Sequence, residues 1–229
     1  MDRMSAGDGD SDVFITRHGA RVDNGPDRVA GWQSKYKRPR DDAPLSPHGE
    51  QASRELSAKM QELHQQRPIL HIVSSPFIRC VQTAQATAEV LGIDIKIEPG
   101  ICEILHTFPP GFMKPVELKE WCKGVDLSYT PVMAADQLSS ECGDGEAAER
   151  AAGVALRVRE RLKGRILFVG HGASCLGLVE AFGASGYVGY CSLTQFTPDE
   201  GSGAGWRLVG GKGEVAHLTD QRTSLNSAW

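Results

Sequence analysis

VFITRHGAR, Val13 to Arg21, opens as a β-branched and aromatic run and closes on arginine, histidine and glycine, the pattern of a buried strand emptying into a loop. The same grammar recurs twice. Ile69 to Ser74 is a second apolar run, followed by Ser75-Pro76 and then Arg79 in the first turn of a predicted helix. Arg165 to Val169 is a third, ending on Gly170-His171-Gly172. Three strand ends thus deliver Arg17, His18, Arg79 and His171 to one edge of a sheet, the edge at which such folds bind ligands.

Helical patterns separate these runs. Ser46-Pro47 supplies an N-cap and a first-turn proline, ahead of Ala52, Leu56, Met60 and Leu63 at spacings of four and three. Ser75-Pro76 repeats the signal before a stripe through Phe77, Val81, Ala84, Ala88 and Leu91, which Gly92 ends. Ile93 to Ile97 alternates as a strand does. Asp144 to Lys163 is amphipathic, a helix to about Phe182 follows Gly172, and strands are expected near Tyr190 to Phe196 and Trp206 to Val209.

The alternation predicts an α/β fold, a three-layer αβα sandwich around a mostly parallel sheet. Two stretches break the pattern. Residues 20–45, rich in Pro, Gly and charge, read as a flap, and residues 99–140, with a short helix over Val116 to Trp121, read as a lid-like insertion. The expected organisation is a disordered segment over 1–11, one domain over 12–216, and a loose tail over 217–229.

With 229 residues, 40% hydrophobic and 24% charged, the chain suits one core with decorations. A net charge of -4 argues against a nucleic-acid partner. The charge is uneven, however: Arg17 to Arg40 holds seven basic and two acidic residues, a balance of +5 that leaves -9 for the remainder. That local excess suits anion capture. The six cysteines form no CxxC pair and read as small hydrophobes of a reducing compartment. No signal-peptide core or membrane-length apolar run is present, so a cytoplasmic or nuclear protein with no membrane partner is expected.

Other motif readings fail on detail. Asp8, Asp10 and Asp12 have calcium-loop spacing, but Val13 stands where that loop needs glycine. Gly170-x-Gly172 imitates a dinucleotide loop, yet Cys175 replaces its third glycine, and Ser174 lacks the correctly spaced second glycine of a nucleophile elbow. His48, His64, His71, His106 and His217 have no partner at metal-ligand spacing and read as structural or surface groups, and Cys175 as a packing residue.

TRHGARVD, LSPHGEQA, SSPFIRCVQTA, IEPGICE and VGHG resemble, in order, the motifs of the histidine phosphatase superfamily, the phosphoglycerate-mutase-like proteins, over about Val13 to Phe196. Arg21, three residues after His18, together with CVQTA, EPGICE, LKE, YTP and YCSL, is similar to the phosphatase domain of the Sts (TULA) proteins and the ecdysteroid-phosphate phosphatases. The resemblance implies a phosphomonoester phosphatase that forms a phosphohistidine at His18. Arg17, Arg21, Arg79 and a protonated His171 would hold the phosphoryl oxygens. Glu103 matches the acid that protonates the leaving group and then activates water, with Glu98 and Glu141 as alternatives.

The chemistry of the residues agrees. A phosphomonoester near neutral pH carries about -1.5 to -2 charges, which repel an anionic nucleophile but not a neutral imidazole. Neither cofactor nor metal is called for. Two other readings compete: a phosphoglycerate-type mutase, whose Glu-Arg-x-Tyr-Gly segment is replaced here by CEILHTFPP, and a silent phosphate-binding scaffold, which retention of Arg17, His18, Arg79, Glu103 and His171 argues against. Phosphotyrosine in proteins or an organic phosphate, bulky or small, is the expected substrate, with recruitment by the flap, by Phe108, Phe112 and Trp121, or by a partner. Edge-strand pairing near Tyr190 to Phe196 would make a homodimer.

Overall fold

The computed structural model describes residues 11–24, 27–39 and 41–226. The expected disorder over 1–11, Ser11 apart, therefore lies outside the described residues, as do Asp8, Asp10 and Arg40.

In chain order the elements are β1 (Val13–Arg17), α1 (Trp32–Tyr36), α2 (Pro47–Gln66), β2 (Ile69–Ser74), α3 (Ile78–Leu91), β3 (Ile95–Ile97), α4 (Pro115–Trp121) and α5 (Asp144–Arg161). They continue as β4 (Arg165–Gly170), α6 (Gly172–Ala181), β5 (Leu193–Pro198), β6 (Trp206–Glu214) and α7 (Gln221–Leu225). The strands lie in the order β3-β2-β4-β1-β5-β6. The first four are mutually parallel, while β5 runs antiparallel to both β1 and β6.

Period-two alternation splits each central strand between two cores. Phe14, Ile72, Leu167 and Val169 pack with Leu56 and Met60 of α2 and Val81 and Ala84 of α3. Val13, Ile15, Val73, Ile166 and Phe168 pack on the other face with Val154 and Val158 of α5 and Leu178 and Val179 of α6. Both faces being covered, β1 and β4 are almost wholly buried, as parallel strands are. The expected three-layer sandwich is what forms. No described helix is long and apolar enough to cross a membrane.

Two expectations change, and the flap gains detail. β5 sits inside the sheet between β1 and β6, so the Tyr190 to Phe196 segment offers no edge for a dimer. The segment expected to be a loose tail is docked as far as Asn226: the His217 ring meets the Cys191 carbonyl at 2.9 Å, and the Ser224 hydroxyl donates to the Tyr190 carbonyl at 2.7 Å. The flap carries its own small core of Val22, Trp32 and Ala43, with Val29 and Tyr36 against it.

Candidate active site

His18 follows β1 directly, and its amide donates to the Gly170 carbonyl at the end of β4. Its loop rests on the start of α2 backbone to backbone: a Cβ on Gly49 would lie 2.1 Å from the Ala20 carbonyl oxygen, and one on Gly19 would lie 2.6 Å from that of Gly49. Only glycine tolerates such an approach. Ser46 caps α2 by accepting from the Gly49 amide, and Thr83 Oγ1 accepts from the Gly19 amide at 3.1 Å, tying the loop to α3.

The imidazole of His18 is buried, and its Nδ1 donates to the Gly19 carbonyl at 2.7 Å. That bond fixes the tautomer, leaving a lone pair on Nε2. Arg79 Nε points at this atom from 3.3 Å. The Arg79 guanidinium lies 4.5 Å over the Phe77 ring and donates to the Asp41 carbonyl at 3.1 Å. Arg17 covers the face of Tyr190 at 4.3 Å, and that ring in turn packs 5.4 Å from His18.

His171 caps α6 and stands edge-on to His18 with ring centroids 5.1 Å apart. Its Nε2 lies 2.7 Å from Ser75 Oγ, and that oxygen also accepts from the Phe77 amide at 3.4 Å. On its other side the ring presents Nδ1 3.8 Å from Glu103 Oε2. Ser75, expected as a helix cap, thus holds the ring of His171, and α3 begins later, at Ile78.

The three candidate acids separate cleanly. Glu98 is fully buried and accepts from the Gly100, Val132 and Met133 amides and the Tyr129 hydroxyl, which occupies it in pinning the 99–140 segment. Glu141 is engaged by Arg150 and the Leu105 amide. Glu103 alone faces the histidines.

Burial, and then the charges of Arg79 and Arg17, hold the pKa of His18 well below 6.5. Burial, then Arg79 and His18, do the same for His171. The pocket's own charges thus favour the neutral form of both rings, which suits a nucleophile at His18; the protonated His171 expected from the sequence would need the charge of a bound anion. The positive charges around the two rings are then the three guanidiniums of Arg79, Arg17 and Arg21. Arg21 is paired through both nitrogens with Asp23, at 2.8 and 2.5 Å, at the rim. His18, Glu103 and His171 offer donor atoms within 4.8 Å of one another, a set able to hold a cation, but the field of Arg79, Arg17 and Arg21 on both rings favours an anion there.

Beside Arg21 lies a cleft of about 740 Å³ lined by Asp23, Arg28, Trp32, Gln33, Asp41 and Thr107. None of Phe108, Phe112 or Trp121 lines it; Phe112 packs edge-on against Phe77 at 5.3 Å. Of the other histidines, His64 accepts from the Ile69 amide and His71 meets the Lys163 carbonyl, structural roles as expected. Thr83, Tyr190 and Asp41 were missed by the sequence reading, although the first two lie inside the quoted CVQTA and YCSL segments.

The histidine pKa shifts carry a stability consequence. On acidification through about 6.5 the unfolded chain takes up protons at His18 and His171 that the folded chain refuses, with His71 and His217, also lowered, adding to the effect, so stability falls as pH drops below that value. Each histidine contributes up to about 1.4 kcal/mol per pH unit in that window. A melting temperature lower by about 5–10 °C at pH 5.5 than at 6.5 is expected from the pair. Calorimetry of His171→Asn should show a shallower slope, with His18, His71 and His217 supplying the remainder; an unchanged slope would show the ring to be protonated already.

Residues 13–203 match the histidine phosphatase superfamily (branch 1). The chain belongs to that superfamily. Among relatives of this histidine phosphatase domain, an ecdysteroid-phosphate phosphatase of Bombyx mori is 36% identical over 115 residues, covering 45% of this chain and 17% of that protein. The ecdysteroid-phosphate phosphatase of Drosophila melanogaster is 28% identical over 190 residues, 69% of this chain and 25% of that one. The domain thus spans a quarter or less of the length of these relatives. The silkworm ecdysone phosphate phosphatase solved in complex with tungstate superposes with a TM-score of 0.65 at 26% identity, covering 87% of this chain and 92% of that one.

Proposed function

We propose that this domain hydrolyses phosphomonoesters through a phosphohistidine on His18. One observation carries the reading: His18 Nε2 presents a lone pair at the floor of a pocket whose neighbouring charges are guanidiniums. The lone pair attacks phosphorus in line while Arg79, Arg17 and Arg21 take up the charge on the equatorial oxygens. Glu103, in reach of His171 Nδ1, gives a proton to the leaving oxygen, and its carboxylate then draws one from the water that cleaves the N–P bond.

The cleft beside Arg21 supports release to water over the sealed pocket a mutase needs. The names of the silkworm and fly relatives support an organic phosphate as substrate. Turnover of p-nitrophenyl phosphate with acid-labile phosphate trapped on His18 is the deciding experiment. No hydrolysis would sink the proposal, and phosphoryl transfer between positions of phosphoglycerate would replace it with the mutase.

Glu103→Gln sharpens the roles. Alkyl phosphates, whose leaving oxygen needs a proton, should slow about a hundred- to ten-thousandfold. Phosphorylation by p-nitrophenyl phosphate should persist, so phosphohistidine accumulates in a burst. Alkyl turnover at the wild-type rate would assign the acid elsewhere.

A further inference from the structure

Asp42 is a carboxylate with no exposure, placed in the flap and outside the catalytic chemistry. Burying a charge is unfavourable unless it is bonded, and both oxygens of Asp42 are: Oδ1 accepts from the Ile78 amide at 2.8 Å and Oδ2 from Arg38, although burial still raises the carboxyl pKa above its ordinary value. The Ile78 amide is the first of α3, whose own N-cap, Phe77, supplies no side-chain cap. Asp42 therefore caps, from 36 residues upstream, the helix whose next residue is Arg79.

Its neighbour completes the hold. The Asp41 carbonyl accepts from Arg79, and the Asp41 carboxylate accepts from the Gly111 amide at 2.7 Å. Arg38 also reaches the Gly111 carbonyl at 3.4 Å. The fit at Gly111 is close: a Cβ there would stand 2.3 Å from Asp41 Oδ1 and 2.7 Å from Pro39 Cβ. One turn of the flap thus grips the start of α3, the Arg79 guanidinium and the segment that carries Glu103.

We propose that Asp42 is a positioning residue for phosphoryl transfer: its carboxylate locks the turn whose Asp41 carbonyl holds Arg79 against His18, and acts on the reaction through Arg79. This rests on the phosphatase reading. A cap alone needs no buried charge, since a neutral oxygen accepts an amide equally well. The charge is explained by Arg38, which closes the turn on Gly111.

A double-mutant cycle tests it. Asp42→Asn keeps an oxygen for the Ile78 amide and loses the charge for Arg38. In the wild-type background it should lower kcat for p-nitrophenyl phosphate about 10–100-fold with KM little changed, as a misplaced transition-state contact does. It should weaken vanadate binding by a similar factor. In an Arg79→Ala background the same substitution should cost under about threefold, because the group it positions is gone. An undiminished loss in that background, or no loss in the wild type, overturns the proposal.

Should Asp42→Asn yield no folded protein, Arg38→Gln, which leaves the Ile78 bond intact, runs the same cycle with the same criteria. Vanadate binding by calorimetry needs no turnover. A wild type that binds vanadate yet hydrolyses nothing would count against the phosphatase reading, while the cycle in vanadate affinity still decides on Asp42.

Discussion

Alanine at His18 should lower turnover of p-nitrophenyl phosphate by at least about ten-thousandfold, as removal of a nucleophile does in other covalent enzymes. No neighbour can stand in. The Nε2 of His171 is engaged by Ser75, and its ring is 5.1 Å from that of His18. Every cysteine near the pocket is buried with its thiol pKa pushed up, Cys175 to about 12 and Cys80 well above its ordinary value, so neither supplies a thiolate. The guanidiniums that receive the oxyanion remain, and vanadate or phosphate should still bind within about tenfold of wild type. A variant that keeps a tenth of the activity would move the nucleophile to another residue.

Arg79→Ala should cost about a thousandfold in kcat/KM, the upper end for one preorganised donor. Arg79 is fully buried, and burial followed by Arg21 lowers its pKa, so the empty pocket holds a cation short of water and beside another cation. An incoming phosphoryl dianion relieves both, which makes this contact worth more than a surface one. Lysine should restore less than about tenfold, because a single ammonium cannot replace a planar fork that meets His18, Asp41 and the oxyanion together. Inhibition constants for vanadate should follow the same order, arginine, lysine, alanine. Activity in Arg79→Ala within tenfold of wild type would remove Arg79 from the reaction.

The sandwich and the strand-end quartet of Arg17, His18, Arg79 and His171 were legible because they depend on local signals: period-two runs, proline at helix starts, and residues directly following a strand. The choice among Glu98, Glu103 and Glu141 was not legible in that way; the family resemblance alone put Glu103 first. That choice turns on which carboxylates are consumed by backbone amides, as Glu98 is by Val132 and Met133. Nor was the position of β5, since strand order is set by long-range pairing that sequence proximity does not encode. The tail from His217 reads as polar and short, yet it is held by Glu55 and by the Tyr190 and Cys191 carbonyls, partners far away in the chain. Nor could the sequence show that burial, and then Arg79 and His18, hold the pKa of the His171 ring down, since that balance is struck by groups from three separate segments.

The contact of Gly19 with Gly49 divides the molecule into an anvil and a rim. Where main chain meets main chain with no side chain between, there is no rotamer to adjust and no slack to take up, so His18 has one address, set when the protein folds. Adaptation to different leaving groups must then come from the flap side, where Arg21 and Asp23 hold each other at the mouth of the cleft. Evolution can recut that rim for new phosphate esters while the line of attack on phosphorus stays where two glycines put it.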